Sequence, residues 1–273
     1  MSALKKVGRI LLVTGLVLAM GIPSTVSAAI KDIRSGNLRK IVFALVSSAE
    51  NSSINYNEQY SYIEDIEDGR GYTAGVIGFT SGTGDLLEVV KKYVELKPKK
   101  NSLKKYITAL EKVNGTDSHS GLGKAFVTAW EKAAKDTQMV QAQNAIVDSM
   151  YLKPAVKYAN KDGLSILGQY IYYDALVVHG PGEDEESFGG IREAALKKCK
   201  TPSSGGEEET YLKAFLEARI VIMEREEAHS DLSRIDTQKK FLEEGNYSLK
   251  IPLQWSMYGD SFSLTDEELK ELE

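Results

Sequence analysis

The chain has 273 residues, 34 of them Lys or Arg and 39 Asp or Glu, for a formal charge of −5. An acidic balance without a basic stripe excludes nucleic acid as the expected partner, and 42% hydrophobic residues plus 23 glycines make about half the chain apolar, which excludes disorder. The single cysteine, Cys199, cannot close an internal disulfide, so the fold must stand on packing alone.

Lys5, Lys6 and Arg9 precede an apolar run over residues 10–22 and a small-residue site at Val26, Ser27 and Ala28. A basic start, a short apolar stretch and small residues read as a secretory signal over residues 1–28, too short for a membrane span. Its removal would leave residues 29–273 with 31 bases against 39 acids, a charge of −8, exported and free of the membrane. That length suffices for one large domain or two lobes.

Leu38, Ile41, Val42, Leu45, Val46 and Ala49 fall at helical spacing, and the pattern ends at Glu50 and Asn51. Residues 55–68, rich in Tyr, Ile and acids, suggest short strands; residues 69–84 hold six glycines and read as turns. Thr83 is placed to cap a helix through Leu86, Val90, Tyr93 and Val94. Further helices are expected over residues 103–113, 123–135 and 138–151. Residues 163–179 are apolar on nearly every face around Asp174, as expected of a central buried helix. Residues 180–190 and 201–206 read as loops, 211–228 and 236–244 as helices, and Thr265 with Glu268 as a capping box. The class is mostly α, with a small β element near residues 55–80.

Several apparent motifs fail on context. Gly69-Arg70-Gly71-Tyr72-Thr73-Ala74 matches a dinucleotide fingerprint, but the acids Glu64, Asp65, Glu67 and Asp68 precede it and further glycines follow where a helix is needed. His119, His179 and His229 are far apart and one Cys makes no thiolate cage, so neither metal nor cofactor is expected. No Gly-x-Ser-x-Gly elbow is present. Acid chemistry remains. Glu50 sits at the negative pole of the first helix, where that field and partial burial favour the protonated form a general acid needs. Asp68 lies in a polar, Gly-flanked turn beside Arg70, suited to stay ionised. Two carboxyls in contrasting surroundings make a glycosidase pair; a helix-end Glu and a solvated acidic loop would give the same pattern without catalysis.

The runs Ser47-Ser48-Ala49-Glu50-Asn51-Ser52-Ser53, Tyr60 through Thr73, and Gly78 through Asp85 resemble the family 46 glycoside hydrolase chitosanases. The similarity continues through Val113-Asn114-Gly115, Ser118 through Gly123, Tyr172 through Ala175, His179 through Gly182 and Ser187 through Arg192, colinear over nearly the whole mature chain. The resemblance implies a lysozyme-like fold, mostly α in the α+β class, with two lobes in one catalytic domain, a small sheet, a long helix joining the lobes and a cleft between them. It implies endo-hydrolysis of β-1,4-linked glucosamine in chitosan with inversion, by a monomer. Glu50 would be the general acid and Asp68 the general base, with Thr73 positioning the water and Arg70 beside the catalytic groups. The resemblance also pairs Asp174 with Arg219 and Arg234 in a network reaching Glu50, as scaffold or as direct aid to catalysis. It assigns Asp85 to the substrate amine, with Tyr62, Tyr151, His179 and, on a shorter match, Glu226 as further substrate contacts. Glu64 and Asp65 stay open between subsite acids and solvated ones. The chain departs from some relatives in having Thr80 where they carry Cys; Cys199 and the acidic tail beyond Thr265 carry no evident chemistry. A hydrolase of N-acetylated glycans and a non-catalytic polycation binder are the competing functions.

Overall fold

In the computed structural model, which describes residues 32–225 and 231–272, the first apolar stripe forms helix α1 (Gly36–Asn51). Its inward residues Ile41 through Ser48 are buried, and the chain leaves the helix through Ser52 in a left-handed conformation. The secretory signal expected over residues 1–28, and the cleavage it implies, fall outside the described residues. Residues 56–61 form a 3-10 turn, not the strand expected there: Tyr56 and Tyr60, four positions apart, are both buried on one side. The strands that follow are short. β1 (Ile63–Asp65), β2 (Tyr72–Ala74) and β3 (Phe79–Thr80) form an antiparallel sheet in sequence order, with Ile63 opposite Ala74, Glu64 opposite Thr73 and Asp65 opposite Tyr72. Residues 66–71 connect β1 to β2 and carry Asp68 and Arg70; Gly69 and Gly71 take the positive φ that this connection requires.

Helix α2 (Asp85–Leu96) has Gly84 as its N-cap, not Thr83, whose hydroxyl instead donates to Asp85. α3 (Ile107–Val113) and α4 (Gly123–Ala133) follow. From there α5 (Thr137–Ile146), a π-helical turn (Val147–Leu152) and α6 (Lys153–Asp162) run on as one helical rod. Its first part packs on α2 and its last part on α7 (Ile166–His179), so this rod joins the α2 side of the fold to the α7 side. The sequence pattern ends this helix at Tyr151; in the structure the helix runs on beyond it, with Pro154 just after the π-helical turn, at the second position of α6.

α7 is buried at every position from Leu167 to Leu176, as its all-round apolar sequence requires. Ser165 caps it, accepting from the Gly168 N–H at 3.4 Å. α8 (Phe188–Lys198), which the sequence pattern does not reveal, and α9 (Glu208–Met223) pack against each other. α10 (Ser233–Glu243) packs on the hairpin β4 (Leu253–Met257) and β5 (Asp260–Leu264), a second sheet also not anticipated. The capping box at Thr265 and Glu268 opens α11 (Asp266–Glu271) as expected. The described residues form one compact unit, mostly helical with two small antiparallel sheets, and no described helix is long and apolar enough to cross a membrane.

Candidate functional site

Between the β-sheet, α2, the π-helical turn and the end of α7 lies a cleft of about 680 Å³. Asp68, Arg70, Gly78, Asp85, Tyr151 and His179 are among its lining residues. Six positions spread over more than 110 residues of sequence therefore meet on one concave surface.

Asp68 is held by its own turn. Its Oδ1 accepts from the Arg70 N–H at 3.0 Å, and its Oδ2 accepts from Arg70 Nε at 2.7 Å and lies 2.6 Å from Arg70 Nη2. Its side chain is 13% exposed, enough to be reached by water.

Glu50, on the last turn of α1, has a different setting. Its Oε1 accepts from Arg234 Nη1 at 2.6 Å, and its side chain is 28% exposed. The helix-end field considered from sequence is thus met by a buried guanidinium that sequence spacing does not reveal. Oε2 turns elsewhere: a Cβ built on Gly78 would stand 4.0 Å from it and 3.2 Å from Thr73 Cγ2. Glu50 does not line the cleft described above; Gly78, which does, is where Glu50 and Thr73 approach it. The Thr73 hydroxyl oxygen is buried without a hydrogen-bond partner among the described residues, a polar group left open for a water or a substrate oxygen. Tyr62 feels both carboxyls. Burial, its bond to Glu64 at 3.2 Å and the charges of Asp68 and Glu50 push its phenol up to about 12.

Behind Glu50 runs a buried chain of charge. Arg234 reaches Asp174 through Nε at 2.8 Å and Nη2 at 2.7 Å, Arg219 Nη2 lies 3.0 Å from the same carboxylate, and Gln238 Nε2 donates to it at 2.6 Å. Asp174 and Arg219 are 0% exposed. Burial acts to raise the Asp174 pKa, but the two guanidiniums outweigh it and hold the carboxyl below the usual range. Arg219 also donates through Nε to His179 Nε2 at 3.3 Å, so the network runs from Glu50 to the cleft wall at His179. Gln238 and Tyr258 are members that sequence reasoning missed; Tyr258, at the tip of the β4–β5 hairpin, faces Arg234. Only the fold brings α10 and that hairpin to α1.

Asp85 is buried in the cleft wall. Its Oδ1 accepts from the N–H groups of Thr80 at 2.7 Å and Leu86 at 2.8 Å and from the Thr83 hydroxyl at 2.9 Å; Oδ2 accepts from Tyr151 at 2.7 Å. Burial pushes its pKa up despite these donors, and pushes the Tyr151 phenol far above its ordinary value. The π-helical turn places Tyr151 for this bond, a common setting for such turns. Glu226 lies outside the described residues.

Residues 44–253 match the model of glycosyl hydrolase family 46. The chain belongs to that family. It is 58% identical over 227 residues to a chitosanase of Nocardioides sp. (strain N106), covering 83% of this chain and 81% of the relative. To a chitosanase of Bacillus subtilis (strain 168) it is 36% identical over 206 residues, 71% of this chain and 74% of the relative. Among solved structures, a chitosanase in co-crystal with substrate superposes with a TM-score of 0.84 at 54% identity, over 86% of this chain and 99% of that one. A family 46 chitosanase of Gynuella sunshinyii in complex with chitotetraose superposes at 0.79 with 31% identity, over 84% and 98%. Family membership makes this chain a glycoside hydrolase with the mostly helical fold described above.

The crowding at Gly78 makes a test of the site. With φ at +73°, Ala there adds strain of about 1–2 kcal/mol and presses on Thr73. Gly78→Ala is expected to lower Tm by about 2–8 °C and to reduce kcat more than KM changes, read by thermal unfolding and initial rates.

Proposed function

We propose that the chain is an exported, monomeric endo-hydrolase of chitosan that cleaves β-1,4 linkages between glucosamine units with inversion. The signal-like residues 1–28 support export, with residues 29–273 as the catalytic domain. The relatives named above are chitosanases, one with chitotetraose bound, which supports the substrate class. The observation that carries the mechanism is the contrast between the carboxyls: Asp68 clasped by Arg70 in a water-reachable turn, Glu50 beside Thr73 with only Oε1 on Arg234.

Glu50 gives a proton from Oε2 to the glycosidic oxygen as the bond from that oxygen to C1 breaks. A water, placed by the open Thr73 hydroxyl, attacks C1 from the opposite face, and Asp68 takes its proton. Arg70 holds the Asp68 carboxylate in the orientation that receives it. The Glu50 proton ends on the departing sugar hydroxyl, one water proton ends on Asp68 and the other stays on the new anomeric hydroxyl; solvent then takes the Asp68 proton while another returns to Glu50. Asp85, Tyr62, Tyr151, His179 and Glu226 serve substrate binding, with Asp85 accepting from a glucosamine ammonium. The Asp174, Arg219 and Arg234 network fixes Glu50 from behind.

The test is time-resolved NMR of partly acetylated chitosan during hydrolysis. The α-anomer of glucosamine reducing ends should appear first, with faster initial rates on highly deacetylated polymer. An initial β-anomer overturns inversion. Preference for highly acetylated polymer moves the substrate to N-acetylated glycans, and binding without release of reducing ends leaves a polycation binder.

A further inference from the structure

The segment after α3 holds His119, which the mechanism above does not use. Its Nε2 is buried, makes no hydrogen bond among the described residues and stands 3.4 Å from Asp65 Oδ2. Its ring lies against Tyr72, 4.2 Å between centroids. Asp65 and Tyr72 are opposite each other in the last β1–β2 pair before the connection carrying Asp68 and Arg70. His119 therefore touches both sides of that connection's neck.

The backbone around it closes on the same connection. The Gly115 N–H donates to the Gly82 carbonyl at 2.7 Å, and the Gly82 N–H donates to the Arg70 carbonyl at 2.8 Å. A Cβ on Gly82 would meet Thr116 O at 2.7 Å and Arg70 O at 2.8 Å, and one on Gly71 would stand 3.5 Å from Asp117 O. No side chain fits at Gly82, between the two backbone carbonyls.

We infer that His119 is a positioning residue for Asp68, a clamp on the neck of the β1–β2 connection held by its contact with Asp65 on one strand and Tyr72 on the other. The inference rests on Asp68 being the general base. The groups facing the ring are the Asp65 carboxylate on β1 and the Tyr72 ring on β2. Asp117 lies two residues away in the same segment, and Lys124 of α4 is exposed to solvent. Both the His119 and the Asp65 side chains are about one-third exposed (33% and 36%), so the pair is screened and its worth is modest.

His119→Phe keeps a ring against Tyr72 and removes the ion pair; Asp65→Asn removes it from the other side. Each should lower kcat on highly deacetylated chitosan by about two- to fivefold near pH 5 with little change in KM. The double variant should lose no more than either single one. An unchanged kcat, or additive losses, overturns the clamp, and the Asp65→Asn measurement decides alone if His119→Phe does not fold. Asp68→Asn, assayed alongside, separates the two ideas: if it turns over normally the general-base reading falls, whereas its inactivity beside unaffected clamp variants removes only the clamp.

Discussion

Glu50→Gln should lower kcat on deacetylated chitosan by about 10²–10⁴-fold while KM and Tm stay near the wild-type values. The size is that of a positioned general acid. The amide retains an oxygen able to accept from Arg234 Nη1, now 2.6 Å from Glu50, and Arg234 keeps its two contacts to Asp174, so the fold loses little. What the amide lacks is a carboxyl proton on the oxygen beside Gly78 and Thr73. Rates should be read as reducing ends released across pH 4–7, because a loss confined to one part of that range would report an altered titration in place of a missing acid. Normal turnover across the range would remove Glu50 from the mechanism.

The positions of both carboxyls follow from local signals. A helix stripe ending at Ala49 fixes Glu50 on the last turn of α1, and the glycines around Asp68 fix a turn. The buried α7 is legible because no face of it is polar. Local pattern does not show what each site residue meets. Arg234 reaches Glu50 across 184 positions and Tyr151 reaches Asp85 across 66, contacts that no periodicity encodes. The β4–β5 hairpin escaped for a specific reason. Its burial alternates cleanly at Leu253, Trp255 and Met257, but the turn carries Tyr258, a non-glycine at φ 52°, ahead of Gly259, where an Asn or Asp would have signalled the hairpin. α8 escaped because it buries only Phe188, Ile191 and Ala195, too few to mark a stripe. The rod from α5 to α6 escaped because the helical pattern ends at Tyr151, where the π-helical turn interrupts the 3.6-residue period while the helix itself continues.

Asp174→Asn carries the largest expected effect on stability. The carboxylate neutralises two guanidiniums that have almost no access to water, Arg219 at 0% and Arg234 at 5% exposure. Removing one member of such a buried cluster costs about 3–5 kcal/mol, because the remaining charges keep their desolvation penalty and lose their counterion. For a domain of this size that corresponds to a Tm lower by about 6–20 °C near pH 6. The sign with pH follows from the lowered Asp174 pKa. A carboxyl whose folded pKa is depressed stabilises the fold above its unfolded value of 3.8 and loses that contribution as pH falls through the folded value. The gap in Tm between wild type and Asp174→Asn should accordingly be full at pH 5–6 and narrow only below about pH 3.8. Activity supplies a second readout. If the network also fixes Glu50, a variant still folded at the assay temperature should show lower kcat with KM nearly unchanged, since Arg234 would then answer to Glu50 alone. A Tm gap that persists unchanged to pH 2.5 would show that Asp174 contributes by shape and hydrogen bonding, with its charge playing no part.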